Sequence, residues 1–145
     1  MRACVFTVPE RGPWGRVYAV PIESVVEFFG AGELTPVPTA PPLLSGVVWR
    51  RGQVVPVLQL PGATTTVSSG QALLMLQQGE LVATVPVERV LDLVDLDPAA
   101  ASPLPDAPAW VRARFEATGT RPHEILLIDV EALMHHWRTA MEAAA

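Results

Sequence analysis

A nine-residue string of this chain occurs twice, and the two occurrences lie 65 residues apart, close to half of the 145-residue length. Val20-Pro21-Ile22-Glu23-Ser24-Val25-Val26-Glu27-Phe28 returns as Val85-Pro86-Val87-Glu88-Arg89-Val90-Leu91-Asp92-Leu93. Four positions are identical and four more keep their chemical type. A repeat on this scale points to two copies of one small folding unit, with a groove where they meet.

The segments around the repeat read as short Val-rich strands bounded by Pro and Gly. In the first copy the strands are 3–8, 16–22, 25–29, 46–50 and 53–60, with a turn over residues 11–15, a bend at Pro21 and Glu23-Ser24, and a hairpin tip at Arg51-Gly52. In the second they are 72–77, 81–87, 90–96, 111–117 and 124–128, and each copy has a Pro-rich connection, 30–42 and 97–108. Asp129 reads as an N-cap. Val130, Leu133, Met134, Trp137 and Met141 then fall at helical spacing, so an amphipathic helix is expected over 129–143. Ten strands in two sets favour an all-β fold of two small barrels, which hide strand edges better than one sandwich. The expected division of the single 1–145 domain is subdomain 1 over about 12–70 and subdomain 2 over about 71–128, with strand 3–8 assignable to the second.

Half of the residues are hydrophobic, enough for a sizeable core, and the net charge is −5 with every basic residue an arginine. No basic stripe marks a nucleic-acid partner. The single Cys4 rules out an internal disulfide. No apolar run reaches the roughly 18–20 residues that cross a bilayer, and no signal region opens the chain, so the expectation is a soluble cytoplasmic protein without membrane insertion.

Catalytic motifs are missing: there is no phosphate loop, no His-Glu-x-x-His and no Cys pair. His135 and His136 are adjacent on the helix and cannot share a face as metal ligands do; His123 sits in a turn. Glu27 and Asp92 occupy equivalent positions and would make an acid/base pair only if opposed in space; surface carboxylates are the plainer reading. Cys4, on the face of Phe6, reads as core. Arg50-Arg51-Gly52 leaves two readings open, a solvated turn or two guanidiniums offered to an acidic or carbonyl-rich partner. The residues alone thus lead to a binding module with no catalytic residue, cofactor or metal.

The segments Tyr18–Phe28, Pro38 and Pro41, and Ser45-Gly46-Val47-Val48-Trp49-Arg50-Arg51-Gly52-Gln53-Val54-Val55-Pro56-Val57-Leu58-Gln59-Leu60 resemble the CheW family, as does Leu126–Leu133 at the other end. The resemblance implies two five-stranded SH3-like barrels with a groove between them and a C-terminal helix. It also implies a non-enzymatic adaptor that couples chemoreceptors, the methyl-accepting chemotaxis proteins, to a CheA-type histidine kinase. Position by position it implies a receptor-binding set of Val25, Glu27, Arg51, Val90 and Leu93, and a kinase-binding set of Phe28, Gly46 and Gly52. The chain departs from the family pattern at Gln59, at Pro86-Val87-Glu88, at Phe115-Glu116-Ala117 and near Ala107. Those departures keep two alternatives open: a divergent member of an accessory system for motility, gliding or pili that has lost one partner, or an unrelated SH3-like binding module.

Overall fold

The computed structural model describes residues 1–9, 16–63, 66–68 and 70–144; the turn expected over residues 11–15 lies outside them. The strands are β1 (Arg2–Thr7), β2 (Val17–Pro21), β3 (Val25–Gly30), β4 (Leu44–Arg50), β5 (Gln53–Leu58), β6 (Ala72–Gln78), β7 (Leu81–Pro86), β8 (Arg89–Asp95), β9 (Val111–Phe115) and β10 (Ile125–Ile128). The helix α1 (Val130–Ala143) follows, and the Asp129 side chain accepts from the Ala132 amide at 3.0 Å, the expected N-cap.

The strands form two five-stranded sheets, ordered β8-β1-β2-β10-β9 and β3-β6-β7-β5-β4. We call the first the terminal sheet, because both chain ends build it, and the second the central sheet. The division is not a cut near residue 70. Strand 3–8 does join strands of the second copy, but β2 goes with it, and β6 and β7 pair with strands of the first copy.

The repeated string explains the exchange, because it is the place where the chain changes sheets. Pro21 ends β2 in the terminal sheet, a 3-10 turn covers Ile22–Ser24, and β3 begins in the central sheet. Pro86 ends β7 in the central sheet, and β8 begins three residues later in the terminal sheet. Proline lacks the N–H that would continue a ladder, which suits both ends. The copies are therefore reciprocal: each gives two strands to one sheet and three to the other. Other details repeat with them. A parallel pair joins β5 to β7 and another joins β10 to β2. An extra residue bulges the register at Val26 in β3 and at its equivalent Leu91 in β8. The two Pro-rich connections each make one bridge, Thr35 to Val47 on β4 and Ser102 to Arg114 on β9.

Strand alternation sorts the apolar side chains into three cores. Ala3 and Val5 point into the terminal sheet with Ala19, Phe115, Ile125 and Leu127. Leu73 and Met75 point into the central sheet with Phe29, Val48, Val55 and Val57. Their neighbours Cys4, Phe6, Leu74 and Leu76 point the other way, into a core that the sheets share with Tyr18, Val85, Leu126 and the α1 residues Leu133 and Trp137. Among the described residues this shared core has twenty buried members against seven in each sheet interior, so β1, β6 and β10 are buried on both faces. Trp137 Nε1 donates to the Gln59 carbonyl at 2.9 Å and fixes α1 to the end of β5.

Gly46 is buried in β4 at φ 151°, and a Cβ there would stand 2.7 Å from the Thr35 carbonyl oxygen. That oxygen accepts from the Val47 amide, so it cannot retreat without breaking the bridge. Gly46→Ala should lower the unfolding free energy by roughly 1–3 kcal/mol, read from the urea midpoint; an unchanged midpoint would contradict this packing.

Candidate partner-binding surface

The shared core reaches β3 and β8, the equivalent edge strands of the two sheets. Val25 and its equivalent Val90 are half-buried and pack against that core. Phe28 lies opposite Leu74, and Leu93 opposite Cys4, and both partners belong to the shared core. Directly opposed residues of an antiparallel pair share a face, so Phe28 and Leu93 lie on the same face as Val25 and Val90. Phe28 is 49% exposed and Leu93 45%, large values for residues beside a core. The expected apolar residues of the groove thus all face the shared core from the two equivalent edge strands. Phe28 shares that face, whereas Gly46 lies on β4 and Gly52 at the β4–β5 turn.

Glu27 and Arg51 occupy a different place. Glu27 lies opposite Met75, whose side chain fills the interior of the central sheet, so it points away from the Val25 face. Its carboxylate accepts a hydrogen bond from Arg50 on β4 and lies 3.1 Å from Arg51 Nε. The Arg50 guanidinium also sits 4.4 Å from the centre of the Phe29 ring. β3 and β4 are opposite edges of the central sheet, and no ladder joins them among the described residues. The Glu27–Arg50 pair therefore clasps the edges of a curled, open barrel.

Arg50 and Arg51 find an acidic partner within the chain. Neither guanidinium is a simple solvated turn residue, because both meet Glu27, yet the Arg51 side chain stays 66% exposed and can still reach a partner. Arg51 and Gly52 have φ of 53° and 78°, the pair of left-handed residues that a tight hairpin turn requires. Gly52 is at the exposed tip, while Gly46 is buried under Leu34 and Thr35 and offers no surface of its own.

The acid/base reading of Glu27 and Asp92 meets an obstacle. The Arg50 hydrogen bond, helped by the charges of Arg50 and Arg51, holds the Glu27 carboxyl below its ordinary value, which makes it a poor base. Asp92 belongs to the other sheet and accepts from the Leu93 amide at 2.8 Å. Cys4 lies in the shared core, and burial pushes its thiol pKa up, away from the reactive thiolate. His135 and His136 are exposed on α1, and among the described residues no group of three or more His, Cys, Asp or Glu gathers as a metal site. No described helix is long and apolar enough to cross a membrane.

Sequence reasoning missed Trp49. It is 71% exposed on β4, opposite exposed Val54 of β5. Val47 and Val48 beside it are apolar too, so no alternation in the sequence marks Trp49 as outward-facing.

The clasp has a pH signature. The Glu27 carboxyl titrates below 4.5 in the folded chain, so the pair adds stability above that pH and loses it as the pH falls through the folded-state value. The gap in Tm between the wild type and Glu27→Gln should be widest near about pH 7 and shrink toward about pH 3. A gap that does not change with pH would contradict the clasp.

Comparison with known proteins bears on this geometry. The scaffolding protein TtCheW from Thermoanaerobacter tengcongensis superposes with a TM-score of 0.71 at 20% identity, over 89% of this chain and 84% of that one, which establishes the shared fold. Protein FrzA of Myxococcus xanthus is 51% identical over 41 residues, 28% of this chain and 26% of that protein, so the match spans about a quarter of its length. The family model of the CheW-like domain matches residues 5–138, nearly the whole chain. The chain belongs to the CheW-like family.

Proposed function

We propose that this chain is a non-enzymatic cytoplasmic adaptor that couples chemoreceptors to a CheA-type histidine kinase in a chemosensory signalling array. The observation that carries the reading is a pair of apolar edges: two equivalent edge strands expose Phe28 and Leu93 beside half-buried Val25 and Val90, at the boundary of the shared core. Exposed apolar edges of this kind suit one apolar face of a helix, such as a receptor's signalling tip. Arg51, tethered to Glu27 but still exposed, supplies a polar contact that sets orientation without giving much affinity. Gly52 and the β4–β5 hairpin are assigned to the kinase. Bulk at Gly46 acts on that contact indirectly, by displacing Leu34 and Thr35.

A second reading is an accessory-system member that has lost one partner interface, the one its terminal sheet would make. It is favoured by the terminal sheet, where the β9–β10 hairpin carries no counterpart of the Glu27–Arg50 clasp among the described residues.

Pull-downs with a receptor signalling tip and, separately, with a CheA regulatory domain test both readings. Leu93→Asp, at an exposed position, should leave Tm within a few degrees of wild type and weaken tip binding at least tenfold. Val25→Asp should do the same with a larger loss of stability, because it places a charge against the core. Arg51→Ala should weaken binding a few-fold with Tm nearly unchanged. Tip binding unaffected by both aspartate variants would contradict the proposal, and binding of only one of the two partners would select the second reading.

A further inference from the structure

The clasp of the central sheet has a missing twin. Register pairs Val48 with Val55 and Phe115 with Ile125, and all four fill sheet interiors, so Val48 and Phe115 are equivalent. Arg50 lies two residues beyond Val48, and Ala117 two residues beyond Phe115. On the facing edge strand, the repeat makes Asp92 the counterpart of Glu27, and Val94 that of Phe29. The terminal sheet therefore keeps the acid and lacks the arginine.

A cavity of about 290 Å³ opens at that place, bounded by Asp92, Val94, Val5, Ile125, Arg121 and His123. Among the described residues Asp92 makes no ion pair. Arg121 lines the same cavity but donates through Nη2 to the Glu116 carbonyl at 3.3 Å.

We propose that this cavity is a socket for one arginine side chain presented by a partner protein, with Asp92 as its counter-charge. The argument is internal to the chain. In the central sheet the equivalent space holds the chain's own Arg50, its guanidinium on Glu27 and over the Phe29 ring. In the terminal sheet the incoming stem lies along Val94 and Ile125, and its guanidinium reaches Asp92. The space has room for one long side chain. The opposite choice, an anion held by Arg121 and His123, has in its favour that Arg121 Nε is buried without an acceptor. Either occupant meets one like charge, an anion at Asp92 and a cation at Arg121; the cation is the better-supported occupant because Arg121 is already held by the Glu116 carbonyl, whereas Asp92, the group that both copies retain as an acid, has no cation on it among the described residues.

Nitrogen-15 NMR titration of the full chain tests the socket with three probes: the N-acetyl methylamides of arginine, its neutral isostere citrulline, and aspartate. The arginine probe should shift the amides of Leu91, Asp92, Val94 and His123 and leave those of β4 and β5 unmoved. Asp92→Asn should weaken that binding at least fivefold. Ala117→Arg, at an exposed position, should fill the socket from within: it should abolish the shifts and raise Tm, and the rise should vanish when Asp92→Asn is added. Equal shifts from citrulline, preferential shifts from the aspartate probe, or an Ala117→Arg chain that binds the arginine probe as the wild type does would each overturn the proposal.

Discussion

Two sheets press one apolar face each against the other, and the chain's two sheet changes hold them there. Separated, each sheet would keep only a small interior, and units of about 60 residues are marginal on such cores. Together they bury Phe6, Tyr18, Leu74, Leu76, Leu126 and Trp137 in common, and each such side chain adds roughly 1.5–3 kcal/mol. The exposed apolar edges follow from the same arrangement. Helix α1 packs on part of the shared face, whereas β3 and β8 are edges where that face ends, so Phe28 and Leu93 are left half in solvent. Binding surface and core are one feature seen at its centre and at its rim.

The two copies have taken different routes to the same shape. At the second crossing Glu88 is gripped by Arg16 through both oxygens, at 2.7 and 2.6 Å, with a further bond from Thr7. The Arg16 hydrogen bond lowers its pKa. At the first crossing the equivalent Glu23 is exposed. The hydrogen-bonded clasp at the open edge is found instead on the central sheet, at Glu27. The polar devices that steady each half are thus not repeated, although the strand order is.

Much of the fold was legible in the sequence. Ten strands, their order and the final helix follow from alternation, Pro and Gly punctuation and the 3.6 period of Val130, Leu133, Met134 and Trp137, and their ends differ by one or two residues in most cases. The partition of strands was not legible. A repeated string marks equivalent positions, and it looks the same whether the chain stays in one sheet or crosses to the other; only pairing distinguishes them. Of the surface, Val25, Val90 and Leu93 were grouped by the resemblance to the CheW family, not by any local pattern. The placement of Phe28 depended on a bulge at Val26 that reverses which residues face Leu74, and the pairing of Glu27 with Arg50 depended on the curl that brings β3 to β4. Both are long-range, and neither leaves a local pattern.

The claim that one shared core binds the halves is tested most directly by following each sheet separately through urea unfolding. Methyl NMR signals of Ile125 and Leu127 report the terminal interior, and those of Val55 and Val57 the central one. The account predicts a single transition with the same midpoint and slope at all four residues. Two transitions, with one interior lost while the other keeps its native shifts, would contradict it.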